Sequence, residues 1–205
     1  MVEFDNQISV QARDSYCNEV EEVRIREYHL ESERIYLRLL NRQDINDEFI
    51  AWFSDDSLMQ YFTNTQTKIT REKIINTFMN SVTKSYDCWL FGIFYKENNK
   101  LIGTIKVGII NRVHNISDLV VLLGNKKYHG QGLAVEAIKL GNKLATDFFK
   151  IRKLFGGMYE SNIASIKAYT KAGWKVEGIL KDYYQVNGRL EKKVLVSYEK
   201  NILRH

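Results

Sequence analysis

An α/β fold, an antiparallel meander followed by a βαβα half that closes on a hairpin, is what this sequence predicts. Three observations carry that prediction. Short apolar runs alternate with polar turns over residues 88–123, as in an antiparallel meander. From residue 118 onward, strand-like and helix-like segments alternate, as in βαβ units. Where the two patterns meet, a turn containing glycines runs from a strand directly into a helix: Leu122-Leu123-Gly124-Asn125-Lys126-Lys127-Tyr128-His129-Gly130-Gln131-Gly132-Leu133-Ala134.

The elements follow in order. Arg34-Ile35-Tyr36-Leu37-Arg38-Leu39 alternates as a strand does. Asp44 is expected to cap a helix carrying Phe49, Ile50, Trp52 and Phe53. A second helix is expected from Thr70 or Arg71, with Ile74, Ile75, Phe78, Met79 and Val82 at helical spacing. Cys88–Tyr95 reads as an aromatic strand, and the turn Glu97–Lys100 joins it to a strand over Leu101–Ile110. Asp118–Leu123 is the third strand of the meander. Leu133–Phe149 is a helix, because Leu133, Ala137, Leu140, Leu144 and Phe148 form one stripe. Lys153–Tyr159 is a short strand. A helix from Ile163 to about Lys171, capped by Asn162 or Ser161, ends at Gly173. Trp174–Leu180 and Lys192–Tyr198 are the closing strands around a tight turn at Asn187-Gly188.

Size and composition narrow the function classes. The chain has 205 residues, 44% hydrophobic and 27% charged, and no proline to mark a linker. That composition suits one globular domain, not a disordered or repetitive chain. The net charge of +5 suits an anionic small ligand and is far from the basic stripe of a duplex-DNA binder. Cys17 and Cys88 lie far apart without partners at metal-ligand spacing, so no metal site is expected. Met1–Gln11 lacks the apolar core of a secretory signal, and runs such as Leu119–Leu123 are too short to span a bilayer. A cytoplasmic protein with no nucleic-acid or membrane partner is expected. Residues 1–31 are polar and acid-rich and read as an N-terminal extension, either disordered or packed on residues 32–205 or a second subunit of a homodimer.

The Gly-rich turn is the informative segment. Amides at a helix start have no intrahelical acceptor and bind phosphate oxygens, and glycines let the backbone come close. The turn continues Gly132-Leu133-Ala134, not Gly-Lys-Ser/Thr, so it is not a P-loop. Val135 stands where a Rossmann fingerprint needs its third glycine. A plain turn is the alternative if the segment is taken alone.

Lys127-Tyr128-His129-Gly130-Gln131-Gly132 resembles the pyrophosphate loop Gln/Arg-x-x-Gly-x-Gly/Ala of the GCN5-related N-acetyltransferases, with Lys127 in the first place. Asn162-Ile163-Ala164-Ser165-Ile166-Lys167-Ala168-Tyr169-Thr170-Lys171-Ala172-Gly173-Trp174 is similar to that family's second motif, Asn-x-x-Ala/Ser-x-x-x-Tyr-x-x-x-Gly-Phe, with Trp174 for Phe. The two stand in the right order, a βαβ unit apart. The resemblance covers about residues 32–200, and the string from Tyr128 to Ala137 looks like the subgroup that includes the ribosomal-protein and amino-sugar acetyltransferases. It implies an α/β sheet of about seven strands, mixed but mostly antiparallel, splayed in the middle and flanked by helices.

The same resemblance implies acetyl-CoA as co-substrate and no metal. Its arm would pair with Leu122, Leu123 and Gly124. The amides of His129, Gly130, Gln131, Gly132, Leu133 and Ala134 would hold the pyrophosphate, and an amide near Val121 or Leu122 would polarise the thioester. Lys126, Lys127, Lys167 and Lys171 either meet phosphates or are simply solvated. Asn162 would cap its helix and touch the cofactor. Tyr169 stands where relatives place a proton donor for the departing thiolate, or else it is a core tyrosine beside Ile166. Asp118 and Glu160 are the candidates for a base, or are structural carboxylates.

Acceptor and class stay open. Arg34–Arg38, Ala51–Asp56, Tyr61-Phe62 and Ala168–Gly178 resemble acetyltransferases of nucleotide amino-sugar pathways. Trp52, Phe53, Tyr61, Tyr183 and Tyr184 would then stack on a base or sugar, or else belong to the core. A small amine acceptor, a protein N-terminus, and a CoA-binding module without turnover are the three readings.

Overall fold

The computed structural model describes residues 30–62, 70–76, 87–186 and 188–200. The expected helix residues Phe78, Met79 and Val82, Asn187, and most of the N-terminal extension lie outside these.

Among the described residues eight strands form one sheet: β1 (Leu30–Glu31), β2 (Ile35–Leu39), β3 (Cys88–Tyr95), β4 (Lys100–Gly108), β5 (Ile116–Leu123), β6 (Lys153–Tyr159), β7 (Lys175–Val186) and β8 (Arg189–Glu199). Their order is β1-β2-β3-β4-β5-β6-β8-β7. Every neighbouring pair is antiparallel except β5 and β6. The expected count of about seven rises by the two-residue strand β1, which no apolar alternation announces. The closing hairpin is also longer than expected, with Val186 paired to Arg189 across the turn.

The helices are α1 (Asp47–Trp52), α2 (Asp56–Met59), α3 (71–76), α4 (Leu133–Lys143) and α5 (Ile163–Lys171). Asn46, not Asp44, caps α1, its side chain accepting from the Phe49 amide at 3.0 Å. Asp44 instead closes a capping box with Asn41 on a preceding 3₁₀ turn and pairs with Arg38 at 2.7 Å. Three Asn/Asp signals within six residues, Asn41, Asp44 and Asn46, hid which one began the longer helix. The expected helix to Phe149 leaves α geometry at Leu144, where a π-turn runs through Phe148.

One apolar cluster joins one sheet face to α4 and α5. Its fully buried members include Ile105, Leu119, Leu133, Ile138 and Leu154. Full burial of such a side chain contributes about 1.5–3 kcal/mol. Gly141 lets α4 lie close to the sheet, because a Cβ there would sit 3.0 Å from Leu119 Cδ1. A second cluster packs α1 and α2 on the opposite face through Phe49, Trp52, Met59, Leu90 and Leu122.

Candidate active site

The parallel pair β5–β6 holds only at Ile116↔Lys153, Ser117↔Leu154 and Asp118↔Phe155, and then the strands part. On its other side β5 stays paired with β4 through Leu123. A V-shaped gap therefore opens in the middle of the sheet, with one backbone edge of β5 along it. The Leu122 carbonyl points to β4, where a Cβ on Gly103 would meet it. Leu119, Val121 and Leu123 have the opposite parity and aim their backbone groups into the gap.

Two side chains engage that edge. The Tyr169 hydroxyl donates to the Leu119 carbonyl at 2.8 Å, and the Val121 backbone hydrogen-bonds the same phenol. His129 Nε2 lies 2.8 Å from the Leu123 carbonyl. A carbonyl only accepts, so that nitrogen carries the hydrogen. No partner among the described residues meets the Val121 carbonyl or the Leu123 amide from β6. They are the groups that can continue a ladder with an extended ligand.

Beyond Leu123 the chain makes a 3₁₀ turn (Lys126–Tyr128) capped by Asn125. Gly130 (φ +73°) and Gly132 (φ +81°) then swing it into α4, conformations that disfavour any side chain. Gly132 is the helix cap and offers no side-chain acceptor. Amides 130–134 donate to no protein acceptor among the described residues, so five N–H groups are left without an acceptor at the positive end of α4. The His129 amide is not among them, because it donates to the Lys126 carbonyl at 3.1 Å. The turn is braced from several sides. Gln131 Nε2 donates to the Lys127 carbonyl (2.8 Å), Asn125 Nδ2 to Glu48 (2.9 Å), and Lys126 pairs with Asp55 (2.5 Å). The hydrogen bond from Lys126 holds the Asp55 carboxyl down at about 2. In the first turn of α4, Glu136 accepts from Ser32 Oγ (2.8 Å) and Arg34 Nε (2.6 Å).

Tyr169 sits on α5, and burial pushes its phenol up, so it stays protonated. Its ring meets Trp174 edge-on at 4.8 Å between centroids. Trp174 Nε1 in turn donates to buried Asn142 on α4 (2.9 Å), so α4 and α5 together fix Tyr169. Asn162 caps α5 by accepting from the Ser165 amide (3.2 Å). Lys171 lies exposed at the far end of that helix.

The two candidate carboxylates lie at opposite ends of the gap. Asp118 is the last residue of β5 still registered with β6, at the closed vertex. Its Oδ2 accepts from Lys106 Nζ (2.8 Å), while Oδ1 is buried with no hydrogen-bond partner among the described residues. Burial pushes its carboxyl up, and Lys106 partly offsets this. Strand alternation puts Asp118 on the face shared with Val120 and Leu122, the side of α1 and α2. Glu160 follows β6 at the open mouth and pairs with Lys192 (3.0 Å).

Near that mouth stands a tyrosine group. Tyr61 and Tyr159 lie 5.8 Å apart, Tyr159 and Tyr184 stack at 3.9 Å, and Tyr183 meets Tyr184 edge-on at 4.9 Å. Lys193 lies over the Tyr183 ring at 4.3 Å. Burial pushes the Tyr184 phenol up to about 12. Trp52 is not part of this group. It is buried in the second cluster, and a Cβ on Gly124 would overlap its ring. Tyr159 and Val121 had no special signal in sequence. Strand parity could have picked Val121 over Leu122, whereas Tyr159 needs its tertiary neighbours.

Residues 34–175 match the acetyltransferase (GNAT) domain family. The chain is 27% identical over 149 residues to a probable N-acetyltransferase, YjcK, of Bacillus subtilis, covering 73% of this chain and 80% of that one. Its fold is similar to spermidine N-acetyltransferase from Vibrio cholerae, solved with CoA and spermine (TM-score 0.73, 17% identity, 82% of this chain and 96% of that one). It is also similar to ribosomal-protein-S5-alanine acetyltransferase from Vibrio fischeri (TM-score 0.71, 20% identity, 85% and 97%). The domain match spans the opened strand pair, the glycine turn and α5, and on that extent the chain belongs to the GNAT acetyltransferase family.

Proposed function

We propose that this protein moves an acetyl group from acetyl-CoA to the primary amine of a small acceptor, with an amino sugar carried on a nucleotide as the favoured class. One observation carries the reading: the open edge of β5 leads directly to five amides at the start of α4 that have no protein acceptor among the described residues. An extended arm ending in a diphosphate needs both, in that order. The Val121 carbonyl and Leu123 amide are the ladder groups for the arm, and the amides of Gly130, Gln131, Gly132, Leu133 and Ala134 hold the diphosphate. Asn162 and Lys171 flank the nucleotide end.

Bound acetyl-CoA supplies an activated acetyl group and a thiolate that leaves. The protein's own groups then have three tasks. The Val121 amide, which meets the Tyr169 phenol oxygen in the free protein, exchanges that partner for the thioester oxygen as negative charge develops on it. The Tyr169 phenol turns its hydrogen from the Leu119 carbonyl, which holds it in the free protein, to the departing sulfur. A thiol has a pKa of about 8.5, below that of a phenol pushed up by burial, so this help is a hydrogen bond more than a completed transfer. Asp118 takes the proton that the amine sheds. Val121 stands about 10 Å beyond Asp118 along the strand, so the proton passes through water. A lysine-like amine is neutral in only about 1 of 2,500 molecules at pH 7, so such an acceptor needs that base.

The tyrosine group at the gap mouth supports the nucleotide reading, because an aromatic wall with Lys192 and Lys193 beside it suits a base and its phosphates better than a basic peptide. Tyr61 and Tyr183 are its outer members. Incubation with acetyl-CoA and a mixed library of amino-sugar nucleotides, polyamines and N-terminal peptides tests the reading by mass. A gain of one acetyl on an amino-sugar nucleotide is expected. Acetylation of peptides alone would move the acceptor to a protein N-terminus. No product with acetyl-CoA bound would leave a binding module.

A further inference from the structure

We propose that Lys106 on β4 is the positioning residue for Asp118, holding one carboxylate oxygen so that the other is free for the acceptor's proton. The inference rests on the acetyl-transfer reading and deepens it. The two oxygens of Asp118 have different fates. Oδ2 is fixed by Lys106 Nζ at 2.8 Å, and Oδ1 is enclosed without a donor among the described residues. A purely structural ion pair has no reason to leave a buried acceptor empty. A carboxylate that must receive a proton needs one free oxygen in a fixed orientation.

Position supports the assignment. Asp118 is the residue at which β5 and β6 part, so its neighbours along the strand, Leu119 and Val121, begin the open edge. Lys106 pairs in register with Val120 on the adjacent strand, which places its side chain on the same sheet face as Asp118. Among the described residues the surroundings of Asp118 supply no other cation. From β3 comes Cys88, whose thiol burial pushes up and which stays neutral. From α5 comes Tyr169, protonated at neutral pH, and β6 contributes Phe155 in register. Lys106 is therefore the main described group that favours the ionised carboxylate against its burial, with a smaller contribution from Asp118's own backbone.

The test does not require the acceptor to be known. The Asp118 carboxyl carbon is followed by NMR against pH in the full-length protein labelled with ¹³C-aspartate, and assigned by the signal that Asp118→Asn removes. The wild-type midpoint is expected above that of ordinary aspartates. Lys106→Met should raise it further, by about tenfold in proton affinity, and Lys106→Arg should bring it back. An unchanged midpoint in Lys106→Met overturns the proposal. Lys106 is partly exposed, so the variant is expected to fold, and circular dichroism checks this.

The second arm follows thiol release with the acceptor that gains the acetyl group. The acid limb of kcat should move with the NMR midpoint while KM for acetyl-CoA stays constant. A midpoint that moves without the limb overturns the positioning role and leaves acetyl transfer standing. Absence of any acetylated product overturns the function itself, whatever Lys106 does to the carboxyl.

Discussion

Gly130 has φ +73° and no atom within 4 Å of the position a Cβ would take, so its side-chain side opens away from the protein. Gly130→Asp should abolish acetyl-CoA binding, because a carboxylate would stand beside the diphosphate. Calorimetry is expected to show at least a hundredfold loss, and unchanged affinity would refute the loop assignment. The backbone penalty alone is about 1–2 kcal/mol, so Gly130→Ala separates conformation from charge. Tyr169→Phe should lower kcat by roughly 10²–10³, the usual cost of removing one hydrogen-bond donor to developing negative charge, with little change in the Kd of acetyl-CoA. It should also cost stability, because the Leu119 carbonyl loses its donor, about 1–3 kcal/mol if water does not replace it. At Asp118, burial raises the folded pKa above the unfolded value. The folded state therefore binds the proton more tightly, and this contribution is full below the unfolded pKa and lost as pH rises through the folded one. Asp118→Asn removes that dependence, so its melting temperature relative to wild type should climb between pH 4 and pH 8. A constant difference would count against a raised carboxyl.

At the scale of elements, the glycine turn is held by pieces from distant parts of the chain. Trp52 of α1 lies against Gly124, Glu48 of α1 accepts from Asn125, and Asp55 at the start of α2 pairs with Lys126. Helices on the acceptor side and the turn on the donor side are thus one packed unit. Gly124→Val should push α1 away and destabilise the protein by about 1–3 kcal/mol, the usual cost of overpacking. Chemical denaturation measures this, and an unchanged midpoint would show that Trp52 can move freely. The strand ranges Cys88–Tyr95 and Lys153–Tyr159 and the helix Ile163–Lys171 were legible because each is a local pattern with clear ends. The cap of α1 was not, because Asn41, Asp44 and Asn46 are all good caps and only backbone geometry chooses among them.

For the whole molecule, the sheet brings together residues far apart in the chain. Tyr61 meets Tyr159, and Arg34 meets Glu136 across 102 positions. Among the described residues no helix is long and apolar enough to cross a membrane, and no cluster of His, Cys, Asp and Glu could hold a metal ion. Element order, the glycines that start α4 and the place of Tyr169 on α5 were determined by the sequence itself, since propensity, capping and periodicity act over a few residues. The parting of β5 from β6, the choice of Val121 over Leu122 for the open edge, the burial of Trp52, and the hold of Lys106 on Asp118 were decided by the tertiary structure alone. Each depends on register between strands or on packing across faces, and those are set by long-range pairing energies that no local window of sequence contains.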